Sequence, residues 1–263
     1  MITAATRLAG LVGWPVAGSL SPRMHNAAFA ARGLDWAYVA LPVEPGQGRL
    51  REAVRGLAAA GFAGANVTAP YKQEVVAHCD DVDDAVAQSG SANTLVFRDG
   101  RVMGFSTDAE ALADVKPSTA AVIGGGGAAR AFAAALERRG AIVRTFSRRD
   151  TWPPDTSGVE LVVHATPVVD ELLIEPTSGQ IVVDLPYRGD GRPTALVAAA
   201  QRVGCRVIDG LHVLVRQGAA SFELWTGVAA PVEAMEAAVR PSLEWLTPLD
   251  RSFQTEHGQS PRS

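Results

Sequence analysis

The chain has 263 residues, 47% hydrophobic and 20% charged, with 26 Gly and 16 Pro; that balance builds one large or two ordinary packed domains and excludes a disordered or low-complexity chain. Lys and Arg number 24 against 28 Asp and Glu, a formal charge of −4, so no global positive field gathers nucleic acid or anionic lipid, and neither is expected as a partner. The two cysteines, Cys79 and Cys205, lie far apart without metal-ligand spacing, which predicts neither a disulfide framework nor a metal site and fits a reducing cytoplasm.

Arg7 to Gly13 reads as a buried strand; the uncharged stretch around it, Leu8 to Pro22, is broken by Gly10, Gly13, Pro15 and Gly18 and makes a poor membrane span or signal segment. Ser21-Pro22 opens a helix with Met24, Ala27, Ala28 and Ala31 on one face, stopped near Gly33. Trp36 to Val43 follows as a strand, Gln47 to Ala60 as a helix striped by Leu50, Val54 and Leu57, and Ala63 to Thr68 as a strand; this βαβαβ order predicts a parallel sheet. Asn93 to Phe97 and Arg101 to Phe105 flank Asp99-Gly100 as a hairpin.

From Thr119 the pattern restarts with an apolar strand, a glycine run, a helix over Ala128 to Arg139 and a strand over Ala141 to Phe146. Strands at Val159 to Val163, Ile181 to Leu185 and Arg206 to Ile208 then alternate with a helix at Pro193 to Val203, the layout of a doubly wound sheet. Ser147 to Gly158 carries Pro153-Pro154 and no helical stripe, so the crossover helix usual between parallel strands is expected to be missing. Leu211 to Thr226 and Pro231 to Leu246 are helical in period and are expected to return to the first unit, while Thr247 to Ser263 reads as a tail. The expectation is an α/β protein of two domains, with units at 1–108 and 109–210 and C-terminal helices at 211–263.

Gly124-Gly125-Gly126-Gly127-Ala128-Ala129 sits between a strand and a helix. Missing side chains there let a pyrophosphate reach backbone N–H groups at a helix N-terminus, which singles out Gly124, Gly126, Gly127 and Ala128 as a dinucleotide cradle. An NAD site places an acid at the end of the next strand to hold the ribose diol. Here that strand runs into Ser147-Arg148-Arg149, two guanidiniums beside a hydroxyl, which suits a 2′-phosphate and predicts NADP.

Four polar clusters at strand or hairpin ends complete the picture: Ser19 to Pro22, Asn66 to Lys72, Ser91 to Thr94 and Ser106 to Asp108. They offer hydroxyls, carboxamides, one ammonium and one carboxylate, which suits a small polyhydroxylated acid. Redox chemistry on an alcohol needs a group that moves the hydroxyl proton, and a lysine tuned by a carboxylate serves, so Lys72 and Asp108 read as a pair. His164 ends a strand, where an imidazole is more often a satisfied core residue than a catalyst.

These residues resemble the shikimate dehydrogenases, including their quinate-using relatives, over roughly Arg7 to Leu246. The resemblance is carried by Ser-x-Ser-Pro at Ser19 to Pro22, Asn-Val-Thr-x-Pro-x-Lys at Asn66 to Lys72, Ala-Asn-Thr at Ala92 to Thr94, Thr-Asp at Thr107-Asp108 and Asp-Gly-Leu at Asp209 to Leu211. It implies an N-terminal substrate domain at 1–108, a Rossmann-type NADP domain at 109–210, and NADP-linked reversible reduction of 3-dehydroshikimate to shikimate by a monomer or homodimer. It also implies Lys72 and Asp108 as the catalytic pair, Ser19 and Ser21 on the substrate carboxylate, and Asn66, Thr68, Asn93, Tyr187 and Gln217 as further substrate contacts. Two departures stand out: Ser106-Thr107-Asp108 replaces Asn-Thr-Asp, and Ser147-Arg148-Arg149 replaces Asn-Arg-Thr. A quinate or aminoshikimate paralogue and a non-catalytic NADP-binding regulator are the competing readings.

Overall fold

Strands whose two faces are both apolar must be covered on both sides, and the first unit is built that way. In the computed structural model, which describes residues 2–150 and 152–240, β1 (Arg7–Gly13) lies parallel to β2 (Trp36–Pro42) on one side and to β3 (Gly64–Val67) on the other. Alternation along β1 sends Leu11 to the face packed by Met24, Ala28 and Phe29 of α1 (Ser21–Ala31), and Val12 to the face packed by Leu50 and Val54 of α2 (Arg49–Ala59). This is the expected βαβαβ unit.

Beyond β3 the sheet stops being parallel. β4 (Asp81–Val82), α3 (Asp84–Ser89), β5 (Thr94–Arg98) and β6 (Arg101–Phe105) follow in the chain, and the sheet order is β2-β1-β3-β5-β6-β4 with β5 antiparallel to both β3 and β6. The hairpin stands where Asp99 and Gly100 take φ of 52° and 73°, the left-handed pair that a two-residue turn between twisted strands demands. Neither β4 nor α3 was anticipated. The strand has two residues and the helix six, too few for a periodic signal, although Asp83 caps the helix by accepting from Val86 N–H at 2.7 Å.

The second sheet holds β7 (Thr119–Ile123), β8 (Ile142–Phe146), β9 (Leu161–His164), β10 (Ile181–Asp184) and β11 (Arg206–Ile208), all parallel, in the order β11-β10-β9-β7-β8. Ala120 and Val122 face Phe132 and Leu136 of α4 (Gly127–Arg138), while Ala121 and Ile123 face Leu196 and Ala200 of α5 (Ala195–Arg202). The sheet is therefore doubly wound. Its order reverses between β7 and β9, the point where open α/β sheets leave a ligand crevice at the strands' carboxyl ends. No helix joins β8 to β9 among the described residues, as the prolines foretold, and edge residue Ile142 is 73% exposed.

Helix α6 (Gly210–Thr226) ties the sheets together: Val213 joins the core of the second, while Val215, Phe222 and Trp225 enter that of the first. The last expected helix, Pro231 to Leu246, is seen as α7 (Val232–Val239), and residues 241–263, with the tail assigned to Thr247 to Ser263, lie outside the described residues. Among the described residues no helix is long and apolar enough to cross a membrane.

The start of α6 is clamped by Asp209, which accepts from His212 N–H at 2.8 Å and from both Arg240 terminal nitrogens at 3.0 Å. Burial pushes the Asp209 carboxyl up, but the Arg240 guanidinium and the His212 N–H outweigh it and leave the group below its ordinary 3.8. A depressed carboxylate stabilises the fold above its unfolded value, and that contribution disappears as pH falls through the folded one. Arg240→Ala is therefore expected to lower stability at pH 7 by about 1 kcal/mol after solvent screening, and the deficit should shrink below pH 4, as read by urea denaturation at both pH values.

Candidate active site

Lys72 lies five residues past the end of β3, in a loop whose backbone is pinned on both sides. The Tyr71 hydroxyl donates to Val43 O at 2.9 Å, and the Ala92 N–H donates to Lys72 O at 2.8 Å. Asp108 opens a single 3-10 turn, Asp108–Leu112, just after β6. The two side chains meet: Lys72 Nζ donates to Asp108 Oδ1 at 2.8 Å and to Oδ2 at 2.6 Å, with only 17% and 8% of the side chains exposed.

Carboxamides hold this pair in place. Asn93 Nδ2 lies 3.0 Å from Asp108 Oδ1, 2.9 Å from Thr107 Oγ1 and 3.2 Å from Gln217 Oε1, while its Oδ1 accepts from Thr107 N–H at 2.7 Å. Asn66 forms a second centre. Its Oδ1 accepts from the Tyr38 hydroxyl at 2.8 Å, and its Nδ2 reaches Ser221 Oγ at 2.9 Å and Thr94 Oγ1 at 3.1 Å. Thr94 and Ser221 hydroxyls lie 2.8 Å apart and link the two centres. Burial lifts the Tyr38 phenol above its ordinary value, and its ring stacks at 4.5 Å on His25, whose imidazole burial pushes down to about 3. Both groups are therefore neutral at pH 7.

A third cluster forms at the head of α1. Ser19 Oγ donates to Ser21 Oγ at 3.2 Å, and the Tyr187 hydroxyl, arriving from the loop after β10, accepts from Leu20 N–H at 3.4 Å. Ser21 does not cap α1; it lies in the first turn and the N-cap position is Leu20. Thr68 is half-buried, and among the described residues its hydroxyl makes no hydrogen bond.

The glycine loop borders the Lys72 loop directly. A Cβ at Gly127 would come within 2.6 Å of both Lys72 Cβ and Ser91 Oγ, so only glycine allows this approach of the two units. Gly124, with φ of 140°, abuts the Ala165 carbonyl, and Gly126 stands at the N-cap of α4 with nothing within 4 Å of its Cβ direction. Ala128 lies in the first turn of that helix. Ser147 follows β8 beside the loop, and Arg148 and Arg149 are exposed. His164 is the satisfied core residue expected: Nδ1 lies 2.6 Å from the fully buried Asp184 and Nε2 faces Thr166 Oγ1.

An acid–base pair, a polar cavity wall and a glycine-lined helix terminus thus share one cleft between the sheets. A family model described as the shikimate dehydrogenase substrate binding domain matches residues 11–95, and another, the shikimate 5′-dehydrogenase C-terminal domain, matches residues 210–240. The shikimate dehydrogenase (NADP(+)) of an Anaeromyxobacter species is 41% identical over 91% of this chain and 98% of its own. The chain belongs to the shikimate dehydrogenase family. Among solved structures, a shikimate dehydrogenase in complex with NADP+ superposes with a TM-score of 0.82 at 32% identity, covering 91% of this chain and 96% of that one. The Thermus thermophilus shikimate dehydrogenase in complex with NADP(H) and shikimate gives 0.79 at 31% identity, covering 89% and 98%.

Tyr38 and Ser221 escaped the sequence reading, although they complete the hydrogen bonding of Asn66. Ser221 carried one faint signal, its place one turn after Gln217 on the same face of α6. Tyr38 sits inside an apolar strand and carried none. The contact at Gly127 is open to test. Gly127→Ala is expected to lower stability by about 1–3 kcal/mol in urea denaturation, because the methyl displaces the Lys72 backbone segment. Gly125→Ala, whose Cβ would meet only Ser147 Cβ at 3.7 Å, is expected to stay within about 0.5 kcal/mol of the parent.

Proposed function

We propose that this chain is an NADP-dependent shikimate dehydrogenase, reducing 3-dehydroshikimate to shikimate reversibly, with Lys72 and Asp108 as its catalytic pair. The observation that carries the reading is the Lys72–Asp108 ion pair, bonded at 2.6 and 2.8 Å among buried carboxamides and set against a glycine loop. The relatives named NADP(+)-dependent shikimate dehydrogenases, and the neighbour solved with NADP(H) and shikimate, support the activity and the cofactor.

The residues present fit a dinucleotide. Open space at Gly126 and the unengaged N–H groups of the first turn of α4 suit a pyrophosphate, held by Gly124, Gly126, Gly127 and Ala128. Ser147, Arg148 and Arg149 would hold the 2′-phosphate. Bound NADP supplies hydride to the ring carbon in reduction and accepts it in oxidation.

The chain's own groups do the rest. Lys72 gives a proton to the ring ketone oxygen in reduction and takes one from the ring hydroxyl in oxidation. Asp108 holds the ammonium over the ring and offsets its charge in a half-enclosed site. Ser19 and Ser21 donate to the substrate carboxylate, joined by Tyr187, whose O–H stays free to donate while its oxygen accepts from Leu20. Asn66, Thr68, Asn93 and Gln217 orient the ring hydroxyls. In this reading the functional units run 1–108 for substrate, 109–210 for cofactor and 211–263 for the returning helices. The two cysteines are free, in keeping with a reducing, cytoplasmic setting.

Following nicotinamide absorbance tests this directly. Shikimate with NADP is expected to turn over faster than quinate with either cofactor, and the reverse ranking overturns the substrate assignment. Lys72→Ala is expected to cut kcat by about 10²- to 10⁴-fold with little change in KM, since a proton-transfer group acts in the transition state. A rise in KM as large as the fall in kcat would make Lys72 a binding contact instead.

A further inference from the structure

The turn after β8 is closed by a residue that the dinucleotide reading leaves unused. Ser147 N–H and Ser147 Oγ–H both donate to one oxygen of Asp150, Oδ2, at 2.6 and 2.9 Å, and Asp150 N–H donates back to Ser147 O at 3.0 Å. Arg149 N–H adds a bond to Ser147 Oγ at 3.3 Å. The bonds from Ser147 hold the exposed Asp150 carboxyl below its ordinary value, so it is charged at neutral pH.

This turn lies beside the glycine loop. The Gly124 N–H donates to Phe146 O at 2.8 Å, and a Cβ at Gly125 would come within 3.7 Å of Ser147 Cβ. A ribose whose pyrophosphate rests on that loop has the end of β8 as its neighbour. The donors an anionic 2′ substituent would take from Ser147 are already answered by a carboxylate, while the guanidiniums of Arg148 and Arg149 stand exposed. A carboxylate accepts readily from a ribose diol. Toward a phosphate carrying about −1.5 to −2 charges it is a competitor and a repulsive neighbour.

We propose that Asp150 is a specificity-determining residue: its carboxylate competes with the 2′-phosphate for Ser147 and narrows the preference for NADP over NAD. The inference rests on the NADP reading given above. Two opposed elements then set cofactor choice within four residues, the arginines drawing the 2′-phosphate in and Asp150 holding its place. The residue also closes the turn, so charge and shape must be separated. Asp150→Asn removes the charge and keeps an oxygen that can accept from Ser147; Asp150→Ala removes both.

Calorimetric titration of the full-length protein with adenosine 2′,5′-bisphosphate and with adenosine 5′-monophosphate isolates the 2′-phosphate without turnover. Asp150→Asn is expected to tighten the bisphosphate by about 5- to 10-fold while leaving the monophosphate within about twofold, and the gain should shrink in high salt. The ratio of kcat/KM for NADP to that for NAD with shikimate is expected to rise by a similar factor. Equal changes for both nucleotides in Asp150→Asn and Asp150→Ala would make Asp150 a turn cap alone and overturn the proposal. A bisphosphate preference that is present and identical in parent and Asp150→Asn overturns it too, leaving the NADP reading intact. Absence of any bisphosphate preference in all three proteins overturns both.

Discussion

The ammonium of Lys72 and the carboxylate of Asp108 meet at 2.6 and 2.8 Å although 36 residues separate them in the chain. Bringing them together requires β3 and β6 to end on the same side of one sheet, with β5 between them running the other way. The mixed character of the first sheet is thus tied to the chemistry. An all-parallel arrangement of these strands would need crossover connections where the chain has a two-residue turn. The pair is sheltered enough for the charges to feel each other and open enough for a substrate to reach the ammonium.

Around that pair lies a polar network that is expensive unless every member finds a partner. Asn66 and Asn93 are 4% and 2% exposed, and each binds through both ends of its amide. The partners come from three directions: the strand carrying Tyr38, the hairpin carrying Thr94 and Thr107, and helix α6 carrying Gln217 and Ser221. Helix α6 therefore contributes more than apolar cover. It closes the donor and acceptor accounts of the substrate side while its first turn is packed against the second sheet. A helix shared in this way couples the position of the cofactor-side sheet to the geometry of the carboxamides.

The second sheet answers a different need, a phosphate held by backbone rather than side chain. Side-chain-free positions at the head of α4 leave room at Gly126 and allow Gly127 to touch Lys72. The same few residues that admit a pyrophosphate thus place it next to the proton-transfer group. On the far side of the loop, the chain after β8 has no helix among the described residues. The adenine side is left to a short turn whose charges, Arg148, Arg149 and Asp150, oppose one another. Substrate recognition is built deeply into the core, whereas cofactor discrimination rests on an exposed loop.

Much of this was legible along the chain, because periodicity, glycine runs and proline pairs act over a few residues. The βαβαβ start, the Asp99-Gly100 hairpin, the glycine loop, the missing crossover helix and the sequence of polar clusters all follow from local rules. The elements that went unseen, β4 and α3, are shorter than any period that could announce them. What only the tertiary structure decided is which polar groups answer one another. Tyr38 lies 28 residues from Asn66 and Ser221 lies 155 residues away from it, and Lys72 meets a glycine of the other sheet. Side-chain hydrogen bonds depend on where a helix docks and how a sheet turns, and those are set by burying apolar faces across the whole molecule, which no local pattern encodes.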